Sequence, residues 1–92
     1  MENNYIMMGD KKVSVRSCSY SSMFGYLNIE VIGLSFLDAT EMFLDNDNTK
    51  NIQYYYNGEL DKEYNGFTLL IMVKLLVESN NLLITLSRDF SI

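Results

Sequence analysis

The sequence NIQYYYNGELDKEYNGFTLLI, residues 51–71, decides the fold because it holds two Asn-Gly pairs, each between apolar or aromatic residues. Asn and Gly tolerate the positive φ angles that a tight hairpin turn requires. Asn57-Gly58 and Asn65-Gly66 therefore predict two successive β-hairpins. A two-residue loop in the second hairpin places one set of apolar and aromatic residues on a single face, which we expect to be buried. This set is Leu60, Tyr64, Phe67, Leu69 and Ile71.

The register of the first hairpin has two alternatives. A two-residue loop at Asn57-Gly58 places Ile52, Tyr54 and Tyr56 on the same face as the acids of the following strand. A three-residue loop instead aligns Ile52 with Tyr64, and it aligns Tyr56 with Leu60. We favour the three-residue loop, because burying one apolar face contributes more than the choice of turn type.

A helical periodicity precedes the hairpins. Phe36, Ala39 and Phe43 recur at helical spacing, and Ser35 with an acid three residues later is typical of a helix N-terminus. These residues predict a helix from about 36 to 44.

The other segments predict strands and one loop. Gly9-Asp10 reads as a hairpin turn, residues 17–22 favour a loop, and alternation is clear over residues 26–32 and from Leu82 to Leu86. The last strand pairs with the long apolar segment. The expected order is two or three strands, a helix, then four strands. We therefore predict an α+β fold, a small antiparallel β-sheet with the 36–44 helix packed on it.

Composition predicts one small folded domain over residues 1–92, because 48% of the residues are hydrophobic and 21% are charged. One cysteine, Cys18, cannot form an internal disulfide, which favours a reducing compartment. The N-terminus lacks the pattern of a signal peptide, so we expect a cytoplasmic protein. Residues 67–77, FTLLIMVKLLV, are too short and contain Lys74, so we expect core rather than a membrane span, which needs about 20 apolar residues.

The net charge of −5 is concentrated in residues 38–63, where seven acids accompany Lys50 and Lys62. Three consecutive tyrosines, residues 54–56, lie in the same stretch, and a strand there must place at least one ring on each face. An acidic, tyrosine-bearing face favours a basic partner, such as a protein that itself binds nucleic acid. The predicted contact residues are Tyr54, Tyr56, Glu59, Asp61, Glu63, Asp45 and Asp47.

Metal binding is disfavoured. Asp45, Asp47 and Thr49 occupy positions 1, 3 and 5 of a calcium-loop opening. Lys50 stands where the loop needs glycine, and Tyr56 stands where it needs a bidentate glutamate. We predict no metal and no cofactor.

Catalysis and direct nucleic-acid binding are also disfavoured. Glu59, Asp61 and Glu63 would project from one side of a strand as paired carboxylates do in glycosidases, but the chain has no histidine and little room for a cleft. We expect no enzymatic activity. Lys11, Lys12, Arg16 and Tyr20 form a weak basic patch, yet a sequence pI near 4.4 argues against direct contact with nucleic acid.

Residues 34–70, LSFLDATEMFLDNDNTKNIQYYYNGELDKEYNGFTLL, resemble short proteins encoded by prophages and mobile elements of low-GC Gram-positive bacteria. The similarity consists of a short helix, an acidic Asn/Asp turn, a strand, an Asn-Gly turn and a Tyr-Asn-Gly-Phe-Thr step. The resemblance implies a phage protein in the host cytoplasm. Such small proteins commonly inhibit host defence, as anti-CRISPR proteins do, or assist tail and virion assembly.

The leading hypothesis is therefore a non-enzymatic inhibitor that occludes a basic, nucleic-acid-processing defence protein. One alternative is a phage tail or virion assembly protein. Another is a protein that sequesters a small nucleotide signal in a pocket between protomers, lined by tyrosines and basic residues. The strand from Asn81 to Arg88, read as a flat edge strand, predicts a homodimer.

Overall fold

The structure is a computed structural model that describes residues 3–44 and 50–88. All neighbouring strands are antiparallel, and they close into a barrel in the order β1-β2-β3-β6-β5-β4, with β4 paired to β1. The strands are β1 (Tyr5–Met8), β2 (Lys11–Ser21), β3 (Tyr26–Val31), β4 (Lys50–Tyr56), β5 (Glu59–Leu76) and β6 (Asn81–Arg88), and the helix is α1 (Phe36–Phe43).

Two long strands allow a barrel of only six strands to close. β2 pairs with β1 as far as Ser14 and with β3 from Val15 onward. β5 pairs with β4 as far as Phe67, and from Phe67 onward it pairs with β6. Both strands contain bulges, and an extra residue in one strand bends it and increases its twist.

The barrel has two different ends. The helix end is where β3 finishes and β4 begins, and α1 makes that connection. The hairpin end is where β4 turns into β5 through Asn57-Gly58. Inward-facing residues of the strands fill the space between the two ends, and most of them are branched aliphatic side chains. The fully buried strand residues include Ile6, Val15, Leu27, Ile29, Val31, Ile52, Phe67, Ile84 and Leu86.

The predicted helix is confirmed with nearly the expected limits. Ser35 is its N-cap, and the Ser35 hydroxyl accepts a hydrogen bond of 3.1 Å from the backbone N–H of Asp38. Ala39 and Phe43 are fully buried in the barrel core. The helix therefore contributes one apolar side to the core at the helix end.

The predicted fold class is wrong. Strands make up 67% and helix 10% of the structure, so the fold is a sheet-dominated barrel and not a balanced α+β packing. The reason is that the sheet curls until β1 and β4 pair, and the strands then cover most of the core themselves. Sequence periodicity reveals strands but not closure, which depends on pairing between residues far apart in the chain.

Asn65-Gly66 does not form a hairpin, which corrects the second turn prediction. β5 runs through both residues, and Gly66 has a φ of +86° within the strand. The backbone N–H of Gly66 donates to Oδ1 of Asn51 at 3.2 Å, where one residue of β4 faces two of β5. The positive φ that a turn requires is used here for a β-bulge. Within residues 50–88, three strands follow the helix, because the predicted hairpin at Asn65-Gly66 is one continuous strand.

The predicted loop over residues 17–22 is also wrong, because β2 continues to Ser21. Cys18 pairs with Ile29 and Tyr20 pairs with Leu27, so both face the interior. The serines that alternate with them, Ser17, Ser19 and Ser21, lie on the other face of the strand. The run SCSYS is therefore an alternating strand whose outer face consists of small polar residues, which are also common in loops.

The other strand predictions are confirmed, with one consequence for the predicted dimer. Gly9 has a φ of +66° in the turn between β1 and β2, and β6 pairs with the apolar half of β5 as expected. β6 also pairs with β3, so it is a central strand. The expectation that Asn81 to Arg88 form an edge strand is therefore wrong, and the predicted homodimer stays a prediction.

Candidate functional site at the acidic hairpin

The acidic hairpin, residues 56–63 at the end of β4 and the start of β5, has a rigid two-residue turn. Asn57 and Gly58 both adopt positive φ angles, +53° and +81°. The backbone N–H of Asn57 donates to Oδ1 of Asn4 at 2.9 Å, and the backbone N–H of Gly58 donates to the carbonyl oxygen of Asn3 at 2.9 Å. The N-terminal segment therefore holds the turn in place.

Stacked side chains brace the base of the hairpin on the outside of the barrel. The rings of Tyr5 and Tyr55 are cross-strand neighbours with centroids 4.7 Å apart and planes 12° apart. The ammonium of Lys12 lies 4.2 Å from the centroid of the Tyr5 ring. Such contacts each contribute about 0.5–1.5 kcal/mol and fix the direction in which the strands leave the barrel.

The register combines the two alternatives that the sequence left open. Tyr56 faces Glu59, as a two-residue loop requires, and the predicted alignment of Tyr56 with Leu60 is wrong. Asp61 is an extra residue, so the register shifts by one between Tyr54 and Tyr55. Ile52 then faces Tyr64, as predicted. The bulge resolves the conflict between turn geometry and burial of the apolar face.

The tyrosines of the run occupy three different environments. Tyr54 faces inward and is 8% exposed, so its ring belongs to the barrel core. Tyr55 is half-buried in the stack with Tyr5. Tyr56 is 54% exposed at the tip of the hairpin, where Leu60 is also exposed. Of the two predicted tyrosines, Tyr56 is thus available to a partner and Tyr54 is enclosed.

The carboxylates of the hairpin are exposed but do not form one row. Glu59 lies opposite Tyr56, and Glu63 lies opposite Gln53, which is on the other face of β4. The bulge at Asp61 breaks the period of two, so the predicted single face of three acids is wrong. The hairpin instead carries negative charge on both of its faces, with Lys62 between them.

The acidic stretch of the sequence is divided by the fold. Asp38 and Glu41 lie on α1 at the helix end, whereas the three acids of the hairpin lie at the opposite end of β4. Asp45 and Asp47, which the sequence assigned to the same surface, lie outside the described residues. The calcium-loop interpretation involves these two residues and Thr49, so it also concerns residues outside the described ones.

Two further properties of the described segments bear on the site. Within residues 3–44 and 50–88, no group of three or more His, Cys, Asp or Glu side chains is arranged to hold a metal ion. In the same segments, no helix has the length and apolar character needed to cross a membrane.

The interior near the hairpin end is aromatic and holds one cysteine. Burial raises the pKa of the Cys18 thiol to about 12, so the thiol is protonated at neutral pH and is a poor nucleophile. The guanidinium carbon of Arg88 lies 4.8 Å from the centroid of the Phe67 ring and 5.2 Å from that of Tyr20. Nε of Arg88 donates to the carbonyl oxygen of Asn65 at 3.1 Å. Arg88 thus connects the bulge to the aromatic core.

A pocket of about 610 Å³ lies on the outside of the barrel beside the turn between β5 and β6. Arg16, the extra residue of the β2 bulge, approaches Glu30 at 3.9 Å, and Nδ2 of Asn81 donates to the same carboxylate at 2.8 Å. Lys74 provides a second cation in the lining. Sequence analysis missed this pocket because it joins residues from three strands, and its lining has no tyrosine.

No family model, curated protein or solved structure matches this chain. The resemblance to mobile-element proteins therefore stays a prediction. The geometry defines a class, a small antiparallel β-barrel with an acidic hairpin at one end, and the function is inferred from that geometry.

Proposed function

We propose that the protein is a non-enzymatic inhibitor that inserts the acidic hairpin into a basic, nucleic-acid-binding cleft of a host defence protein, in the manner of an anti-CRISPR protein. The observation that carries this proposal is the hairpin itself. Exposed carboxylates occupy both of its faces, and exposed Tyr56 and Leu60 lie at its tip. The resemblance of residues 34–70 to mobile-element proteins supports the host context.

The hairpin has the properties of a competitor for phosphate-binding residues. Glu59, Asp61 and Glu63 supply negative charge along a narrow two-stranded element, and basic clefts are built to accept such charge. Tyr56 adds a large contact area at low entropic cost. Because carboxylates lie on both faces, a cleft with basic walls on two sides fits the hairpin better than a flat surface does.

The rigidity of the hairpin favours binding. The turn is tied to Asn3 and Asn4, and the strands are braced by the Tyr5–Tyr55 stack. A preformed element loses less conformational entropy on association than a flexible loop does. We therefore expect association driven by charge at the encounter and by Tyr56 in the docked complex.

The test is capture of the partner with a charge-reversed hairpin. The variant Glu59→Lys/Asp61→Lys/Glu63→Lys is compared with wild type in pull-downs from a nuclease-treated bacterial lysate, with mass spectrometry as readout. Wild type should retain a basic nucleic-acid-binding protein, and the variant should lose it. The captured protein, once purified, should bind less nucleic acid as wild-type inhibitor is added.

A matched control separates local from overall charge. The variant Asp10→Lys/Glu41→Lys/Glu78→Lys changes the net charge by the same amount at exposed positions outside the hairpin. It should retain the partner. Equal loss of the partner in both variants, or full inhibition by the folded hairpin variant, would show that the hairpin is not the binding element.

A second candidate function, binding of a small polar molecule, is favoured by the pocket beside the β5–β6 turn. Its volume of about 610 Å³ lies within the usual range for ligand sites, and Arg16 and Lys74 line it together with Glu30 and Glu78. A panel of nucleotides tested by thermal unfolding distinguishes this candidate. A ligand that binds the folded state raises the unfolding temperature in wild type and not in Arg16→Ala/Lys74→Ala.

A further inference from the structure

The second half of β5 exposes an apolar surface where the sequence predicted core. In β5, Ile71 is 48% exposed and Leu75 is 52% exposed, and Val77, in the turn that follows β5, is 87% exposed. α1 contacts β5 and presents exposed apolar residues at the same end of the barrel, with Leu37 66% exposed beside Phe36. We call Phe36, Leu37, Ile71, Leu75 and Val77 the apolar face.

Within residues 3–44 and 50–88, one edge of β5 has no neighbouring strand beside the apolar face. β4 pairs with β5 only as far as Phe67, and β6 pairs with the opposite edge from Phe67 to Leu76. Over residues 71–76, no strand of the described chain lies on the edge that faces away from β6. This segment has no proline and a single charge, Lys74, so it lacks the features that protect natural edge strands from pairing.

We propose that a second copy of this chain covers the apolar face, with the two β5 edges paired antiparallel about a two-fold axis. An antiparallel pair of identical strands is self-complementary, because each chain offers the other the same backbone groups and the same side chains. An exposed β-branched residue such as Ile71 suits a strand that becomes paired on both edges.

The positions of the acidic hairpins are compatible with a second copy, and the acids at the helix end, Asp38 and Glu41, lie on α1 and not on the paired β5 edges. The acidic hairpin lies at the opposite end of β4, and a strand of seven residues spans roughly 20 Å. Two copies joined about a two-fold axis at the helix end would place their acidic hairpins on opposite sides of the dimer, farther apart than the length of one such strand. Because the screening length is about 10 Å at 0.1 M salt, the hairpins would not repel each other appreciably.

This dimer is independent of the proposed inhibition and leaves both acidic hairpins accessible. Its first test is the mass of the wild-type chain in solution, measured by sedimentation equilibrium over a range of concentrations. We expect the average mass to approach twice the chain mass of 10.7 kDa as the concentration rises. A mass of one chain at every concentration, or open-ended growth beyond two chains, would overturn the proposal.

Two matched variants locate the interface. Ile71→Glu/Leu75→Glu should remain monomeric, because it places four buried charges in the proposed interface. Met23→Glu/Phe24→Glu makes the same chemical change at exposed residues of the β2–β3 turn, with Met23 82% exposed, and should remain dimeric. Circular dichroism verifies that each variant is folded. A dimer that persists in the folded Ile71→Glu/Leu75→Glu variant would contradict the assignment.

Hydrogen exchange of the wild type provides a test that does not depend on variants. Amide protons of residues 71–76 should exchange more slowly as the concentration rises, because pairing satisfies the open edge of β5. Amides of the acidic hairpin should exchange at the same rate at every concentration. Exchange of residues 71–76 that does not depend on concentration, in a chain that dimerises, would show that the dimer uses another surface.

Discussion

The two halves of β5 belong to one continuous strand but face different surroundings. The first half pairs with β4, carries Glu59, Asp61 and Glu63, and belongs to the acidic hairpin. The second half pairs with β6 and carries Ile71 and Leu75, which remain exposed. Phe67 lies at the junction and is fully buried. The barrel thus has an acidic hairpin at one end and exposed apolar residues at the helix end, connected by one strand.

The difference between the two ends follows from how each is closed. At the hairpin end, hydrogen bonds from the backbone of the turn and an aromatic stack hold the tight turn in place. Its side chains are not needed in the core, so they can be charged and exposed. At the helix end, α1 places Ala39 and Phe43 in the core, and it leaves apolar residues on its outer side. An exposed apolar surface of this kind is usually an interaction site. The molecule therefore has an acidic surface at one end and an exposed apolar surface at the other.

The largest expected effect tests how the helix end is closed. Phe43→Ala should reduce the free energy of unfolding by about 3–5 kcal/mol, because it removes a fully buried aromatic ring and leaves a cavity. Phe36→Ala, on the exposed side of the same helix, is the control. Denaturant unfolding at low protein concentration measures both variants. Equal losses in the two variants would show that α1 does not contribute its Phe43 side to the core.

The next effect tests the junction within β5. Gly66→Ala should reduce the free energy of unfolding by roughly 1–2 kcal/mol, because alanine is strained at a φ of +86°. There is space for the methyl group, since the nearest atom that a Cβ would meet is Nε of Arg88 at 3.9 Å. The loss therefore measures backbone strain. Asn at this position should recover part of the stability, because Asn adopts positive φ more readily.

A third effect concerns the buried thiol near the hairpin end. Burial raises the pKa of Cys18 from 9.0 to about 12, so the unfolded chain loses this proton at lower pH than the folded chain does. The stabilisation that comes from this thiol should be fully present below pH 9. The free energy of unfolding should then fall as pH rises from 9 toward 12, with a slope approaching 1.4 kcal/mol per pH unit. Burial also raises the pKa of Tyr64, which adds to the same trend.

Comparison with Cys18→Ala isolates the contribution of the thiol. Unfolding curves of wild type and the variant should converge as pH rises above 9, because only wild type has this proton to lose. The variant is less stable near pH 7 because of its smaller side chain, which does not affect the slope. Parallel pH profiles for the two proteins would show that the thiol is not shielded from solvent in the folded state.

The smallest expected effect separates binding from stability at the acidic hairpin. Glu59→Gln/Asp61→Asn/Glu63→Gln should leave the unfolding midpoint nearly unchanged, because surface substitutions usually change stability by less than about 0.5 kcal/mol. The same variant should lose most of its affinity for the basic partner. A large loss of stability would mean that these carboxylates have a structural role, which would weaken the proposed function.

Several local features could be predicted from the sequence because they depend on residues close together in the chain. Ser35 with Asp38 indicated the helix N-cap, Asn57-Gly58 indicated the tight turn between β4 and β5, and Gly9 indicated the turn between β1 and β2. The concentration of acids near the hairpin was also visible. The position of Tyr54 in the core was not, because a run of three tyrosines has no period that separates the inner face from the outer one.

Other features depended on which strands meet. Asn65-Gly66 has the same local chemistry as Asn57-Gly58, yet it forms a bulge. The reason is that residues 67–76 pair with β6 and do not fold back on residues 59–64. The bulge at Asp61 likewise reconciles a two-residue turn with the alignment of Ile52 and Tyr64. Nothing local distinguishes these outcomes, since a positive φ serves a turn and a bulge equally well.

The sequence by itself determined the helix, most strand periodicities, the tight turn at Asn57-Gly58 and the excess of negative charge. Each of these arises from side chains within a few residues of one another. The tertiary structure decided that the sheet closes into a barrel, that β5 bends instead of turning back, and that the acids of residues 38–63 divide between two ends. It also decided that Ile71, Leu75 and Val77 remain exposed. These outcomes depend on long-range strand pairing, which buries whichever face the closed barrel encloses and leaves the other to solvent or to a partner.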